Sequence, residues 1–176
     1  MPRVRLLGLL SILTIVGAGT AATSVRARST PAPAREIIAV YLGTEGTDAQ
    51  SGMVPAVRDM KTALTRQAAA SGRRFISRGV SLEASVDAGL RHLALLGAFD
   101  EVSVGGNWTN SAVVRYLGGN FGAGTGATIP QVVLLEREVQ LVGDTSLVVG
   151  PEKEIGRYKG TGEIAAWVRR GAPIAP

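Results

Sequence analysis

Cysteine is absent from all 176 residues of the chain. A thiolate is the nucleophile of thiol redox chemistry and the usual ligand of structural zinc. Its absence excludes disulfides, cysteine catalysis, Cys-ligated metals and lipid attachment through cysteine. Histidine is nearly absent as well, since His92 stands alone. Multi-histidine metal sites and the HExxH protease motif are therefore excluded, and no remaining motif asks for a metal or another cofactor. Aromatic residues make up only 5% of the chain, and no dense Lys/Arg cluster carries interleaved aromatics, which argues against a nucleic-acid partner.

What is present is a globular composition, with 45% hydrophobic and 19% charged residues, and a length suited to one domain with appendages. Residues 1–22 begin with Arg3 and Arg5, continue through the apolar run Leu6 to Val16 and end in small residues, Gly17 to Ala22. That order is the layout of a secretory signal peptide, with an uncleaved membrane anchor as the alternative. Either implies an exported domain, in the periplasm or on the outer face of the cytoplasmic membrane, that meets the membrane only through this segment if it is retained. Residues 23–35 are polar, contain Pro31 and Pro33, and read as a linker. The net charge of +5 resides mostly here: without Arg3, Arg5, Arg26 and Arg28, the 19 basic residues fall to 15, against 14 acidic ones.

The domain itself spans 36–170, with 171–176 as a tail. Ile37 to Gly43 is a continuous apolar run of strand length, expected to be buried on both faces. The polar stretch Thr44 to Gly52 reads as a loop. It leads into a helix in which Pro55 suits the first turn, Val57, Met60, Leu64 and Ala68 share a face, and Ser71-Gly72 is the end. Arg73 to Val80 is a second strand. Ser81 is expected to cap a helix with Leu82, Val86, Leu90 and Leu93 on its buried face, which leaves His92 solvated. Phe99 to Val104 is a third strand, followed by a short helix from Asn110 to Leu117. Residues 118–128 are glycine-rich; they lack the Gly-Lys-Ser/Thr and the following helix of a phosphate loop, and suit a flexible lid instead. Ile129-Pro130 opens another strand, and two further strand segments lead to a last helix capped by Thr161 and burying Ile164, Trp167 and Val168. Alternating strands and helices predict an α/β fold with parallel pairing.

This order resembles the thioredoxin superfamily over Glu36 to Arg170: a buried strand leading into a loop and long helix, an X-Pro pair opening a later strand, and a terminal hairpin plus helix. The strand and helix ahead of Ile129-Pro130 look like the insertion of TlpA/ResA-like exported thioredoxins and of peroxiredoxins. The implied fold is a central mixed sheet flanked by helices. In that family the proline is cis and faces a cysteine-bearing loop at the N-terminus of the first long helix. Here the corresponding stretch is Gly46 to Ser51, without a thiol, so thiol oxidoreductase activity is excluded.

The resemblance implies a candidate groove made of Thr47, Asp48, Ala49, Gln50, Ile129 and Pro130. In such proteins the backbone before the proline pairs with an extended segment, which is β-augmentation. A binding or scaffolding module for a protein or peptide, with no catalytic residue, is the first expectation. An enzyme using polar groups from Thr47, Asp48, Gln50 and Ser51, or a purely structural envelope protein, are the alternatives. Asp48 is read as a helix cap, the commonest role for such a residue. Trp108 is left open as core or groove wall, and Asn107-Trp108-Thr109 matches the N-glycosylation pattern.

Overall fold

The computed structural model describes residues 33–117, 128–142 and 146–174. The leader, most of the linker and nearly all of the glycine-rich segment read as a lid lie outside the described residues. Within them, β1 (Ala34–Gly43) is followed by α1 (Glu45–Gln50), α2 (Met53–Ala70), β2 (Arg74–Ser81), α3 (Val86–Leu95) and β3 (Glu101–Ser103). A 3-10 turn (Asn107–Thr109) and α4 (Ser111–Leu117) come next, then β4 (Gln131–Val142), β5 (Ser146–Val149), β6 (Lys153–Lys159) and α5 (Gly160–Arg169).

Six strands form one mixed sheet in the order β3-β2-β1-β4-β5, with β6 also paired to β4. β1 lies parallel to β2 and antiparallel to β4, and β4 is antiparallel to both β5 and β6. Residues 37–42 of β1 are fully or almost fully buried. Alternation along the strand sends Ala39 and Tyr41 into one core with Val57, Met60, Leu93, Ile164 and Trp167. Ile38, Val40 and Leu42 enter a second core with Val113, Tyr116 and Leu117 of α4. Helices α2, α3 and α5 thus cover one face and α4 the other, so a strand apolar on both sides has a helical layer on each.

Several boundaries depart from the sequence reading. The stretch read as a loop after β1 contains α1. Ser81 does not cap a helix; it is the last residue of β2, and α3 is capped by Ser85, whose side chain accepts from the Ala88 N–H. α3 also turns a different face inward. Gly89, His92, Leu93 and Leu96 are buried, while Val86 and Leu90 are exposed. Thr161 lies inside α5, whose cap is Lys159; the Glu163 carboxylate accepts from the Lys159 N–H at 2.9 Å. The segment read as a tail packs instead: Ala172 is fully buried, Trp167 Nε1 donates to the Pro173 carbonyl at 3.1 Å, and Gln67 Nε2 donates to the Gly171 and Ala172 carbonyls.

Trp167 is the largest fully buried side chain, stacked on Tyr158 with ring centroids 4.1 Å apart. Trp167→Ala removes this packing and the bond that holds the C-terminal segment, and should lower the unfolding free energy by about 3–5 kcal/mol, measured by urea titration.

Candidate functional site

The register brings the C-terminal ends of β1 and β2 and the start of β4 to one end of the sheet. Gly43 is opposite Ser81, Leu42 opposite Gln131, and Gln131 opposite Lys159. α1 springs from this end. Thr44 caps it, accepting from the Thr47 N–H at 3.4 Å and donating to the Thr47 hydroxyl at 3.0 Å. The capping role expected of Asp48 therefore belongs to Thr44. Of the sequence-derived groove residues, Thr47 is half-buried, Ala49 and Gln50 are exposed, and Asp48 is turned into the protein. The Ile129-Pro130 bond is cis. Pro130 is buried and its carbonyl accepts from the Gly160 N–H at 2.7 Å, while Ile129 is half-buried against the α4-side core. Among the described residues the backbone N–H and C=O of Ile129 have no hydrogen-bond partner. Trp108 is 42% exposed on the 3-10 turn, so it is not core. That turn is tied to this end of the sheet by Gly106 N–H to Ala84 and Asn107 N–H to Glu83 carbonyl bonds.

Behind this surface lies a buried polar network that the sequence did not disclose. His92 Nε2 is 2.5 Å from Asp48 Oδ2, and His92 Nδ1 is 2.9 Å from Ser81 Oγ. Ser81 and His92 are fully buried and Asp48 nearly so. Ser81 Oγ also accepts from the Glu83 N–H. Facing a carboxylate, which can only accept, Nε2 is the donor to Asp48. Tyr41 completes the group. Its phenol sits beside Asp48, outside hydrogen-bond geometry, and burial first, then the Asp48 carboxylate, push its ionisation far above the ordinary tyrosine range.

Gly43 makes the approach possible, because a Cβ at that position would lie 2.8 Å from both Asp48 Oδ2 and the Tyr41 hydroxyl. Serine, histidine and aspartate in line have the composition of a hydrolytic triad. Acyl transfer, however, needs a serine oxygen that a substrate carbonyl can reach, and Ser81 is enclosed. The arrangement is a strut joining α1, α3 and β2. It also separates the polar residues proposed for an alternative enzyme site, since Asp48 faces His92 while Gln50 faces solvent.

A second polar cluster sits on the α4 side of the sheet, to which strand alternation turns Glu36, Arg74, Arg78 and Arg137. Arg137 and Arg74 pair with the buried Glu36 carboxylate; Arg78 pairs with Glu101 and Glu152, and Arg115 with Glu152. Burial and the neighbouring Glu152 outweigh Arg78 and Arg115 and raise the Tyr116 phenol above its ordinary value. A cavity of about 300 Å³ opens between β3 and α4, lined by Arg78, Glu101, Ser103 and Tyr116 among others. Its guanidinium groups are already paired with carboxylates rather than free for a phosphate. Among the described residues no three His, Asp or Glu side chains group as metal ligands, and no helix is long and apolar enough to cross a membrane.

Two tests address the buried strut. His92→Ala leaves the Asp48 charge buried and unpaired, and should cost about 3–5 kcal/mol. A cycle with Asp48→Ala should show that the two changes are less than additive by about 1–3 kcal/mol, whereas additive losses in urea titrations would mean that the pair is uncoupled. Gly43→Ala should destabilise by about 1–3 kcal/mol through overpacking, read in the same titration.

Compared with known proteins, the chain matches no family model, no curated protein and no solved structure.

Proposed function

We propose that the chain is an exported thioredoxin-like domain without thiol chemistry that binds an extended protein or peptide segment along the backbone of Ile129. The observation that carries this reading is that Ile129 presents main-chain groups without a partner among the described residues, at the sheet end that also bears α1. An extended segment gains affinity by hydrogen-bonding such groups and specificity from the side chains that flank them. Ala49 and Gln50 of α1 and Trp108 of the 3-10 turn are exposed at this end of the sheet, and they supply such flanks.

The thioredoxin-like part of the reading draws support from strand order. β1 and β2 are parallel around α2, β4 returns antiparallel beside β1, and β6 and α5 follow. In that scheme β3 and α4 are the inserted strand and helix ahead of Ile129-Pro130, and the strut behind α1 holds the surface where the family carries its cysteines. The function so assigned is recognition, for which a rigid platform is enough. Export rests on the layout of residues 1–22.

Extended peptides selected from a displayed random library on the full chain should shift the amide resonances of Ile129 and of Thr47 to Gln50. Ile129→Pro removes the N–H donor, worth about 1 kcal/mol, and should weaken those peptides by roughly fivefold to tenfold. Binders that retain full affinity for Ile129→Pro, or that shift other parts of the sheet instead, would overturn the assignment.

A further inference from the structure

The sheet is open at β3, which stands last in the strand order, beyond β2. The direction of its backbone groups follows from its neighbours. Leu82 N–H donates to the Gly43 carbonyl, while Ser77 N–H donates to the Asp100 carboxylate and the Ser77 carbonyl accepts from the Asp100 N–H. Backbone direction alternates along a strand, so the even-numbered residues of β2 bond to β1 and the odd-numbered ones to β3. Gly79 lies opposite Val102 and therefore bonds to the residues on either side of it, Glu101 and Ser103. Val102 turns its own N–H and C=O outward, where the described residues supply no strand. The chain leaving β3 turns back toward the end of β2, with Gly106 and Asn107 N–H groups bonded to the Ala84 and Glu83 carbonyls.

Apolar surface flanks this edge on the α3 side. Val102 is 50% exposed and lines a groove with Leu90, Ala94 and Phe99. Val86, Leu90 and Ala94 recur every four residues along α3 and all three are exposed, with Val86 against Gly105, the second residue past β3. Short length and a charged side chain are the usual protection of a sheet edge. β3 has both, in its three residues and Glu101, yet an apolar helical stripe runs beside it.

An isolated strand added to β3 would lie in the plane of the sheet and leave the α3 stripe above it wet. A second copy of the chain brings its own α3 at the same height. Gly89 fixes where that helix runs: a Cβ there would meet Val104 at 2.8 Å and Ser81 at 3.3 Å, so α3 lies over the line between β2 and β3. With strands about 4.8 Å apart, antiparallel pairing of two β3 strands sets the two α3 helices roughly 10 Å apart, a helix packing distance. The register is self-complementary. A two-fold axis at Val102 gives reciprocal Val102 bonds and puts Glu101 opposite Ser103, whereas an axis at Glu101 would set two carboxylates face to face. Ser103 shares a cavity with the exposed Arg115. Each copy's Glu101 thus arrives beside the other's Arg115, extending the pairs that these residues make with Arg78 and Glu152 in their own chain.

We propose that the chain forms a two-fold dimer through the β3 edge, which joins two six-stranded sheets into one and packs α3 on α3 across the axis. Ile129 leads into β4, three strands away from β3 in the sheet, so the dimer leaves the surface around Ile129 open. The proposal goes beyond the peptide-binding reading and stands without it.

Sedimentation equilibrium of the full chain in density-matched detergent, over a range of concentrations, should give the mass of a dimer. Leu90 and Val102 are exposed in the single chain, so Leu90→Asp with Val102→Asp should leave the far-UV circular dichroism unchanged. The same double substitution should weaken the dimer by at least about tenfold, because it buries unpaired carboxylates at the axis. Because the chain has no cysteine, single introduced thiols report the geometry. Facing residues of a hydrogen-bonded antiparallel pair lie within the Cα separation of a disulfide. Val102→Cys should therefore oxidise to a linked dimer much faster than Arg66→Cys, which is exposed on α2. A monomer at every concentration would overturn the proposal. A dimer that survives the double substitution would also overturn it and assign association to another surface, such as the apolar run Leu6 to Val16. Equal cross-linking at 102 and 66 would do the same.

Discussion

Everything in this domain is arranged around the burial of β1 on both faces. Six consecutive residues, Ile37 to Leu42, are removed from water, and alternation divides their side chains between two cores. At about 1.5–3 kcal/mol for each large apolar side chain buried, such a strand cannot remain at an edge or with one face wet. It needs strands on both flanks and helices on both faces. The layers follow: β2 and β4 beside it, α2, α3 and α5 below, α4 above.

At its C-terminal end, the strand passes from apolar to polar burial. Tyr41 is the last large side chain sent toward α2, and its hydroxyl meets the carboxylate of Asp48 across the gap left by Gly43. The carboxylate is held by His92, and His92 by Ser81 at the end of β2. A charge in such a place is tolerated when it is paired and hydrogen-bonded. The pairing ties a helix of six residues, too short to be stable alone, to two other elements. A short helix so fixed can present Ala49 and Gln50 in one position, which recognition of an extended segment requires, since ordering a loose surface on binding consumes affinity.

At the other end the situation reverses. β4 outruns β1 and carries β5 with it, and the arm they make holds apolar side chains with no core to enter. In the arginine and glutamate network on the α4 side, Glu36 and Arg137 lie past the apolar residues of β1 and β4, toward the arm. Each guanidinium there is paired with a carboxylate, some of them shared.

The sequence by itself determined the elements whose periodicity has one reading. The run Ile37 to Gly43 can only be a strand buried on both faces, the spacing of Val57, Met60, Leu64 and Ala68 is helical, and the absence of cysteine settles the chemistry that the chain cannot perform. Where two helical stripes competed, the reading was half right: of Leu82, Val86, Leu90 and Leu93, only Leu82 and Leu93 are buried, and α3 turns Gly89, His92, Leu93 and Leu96 inward, a set that is also helically spaced. The structure selects it because Gly89 lets the helix approach Val104, where a Cβ would come within 2.8 Å, and because His92 finds Asp48, a residue 44 positions away. That partnership has no local signature. A buried histidine and a buried aspartate each look like surface residues until the fold brings them together, since the energy that permits their burial belongs to the pair.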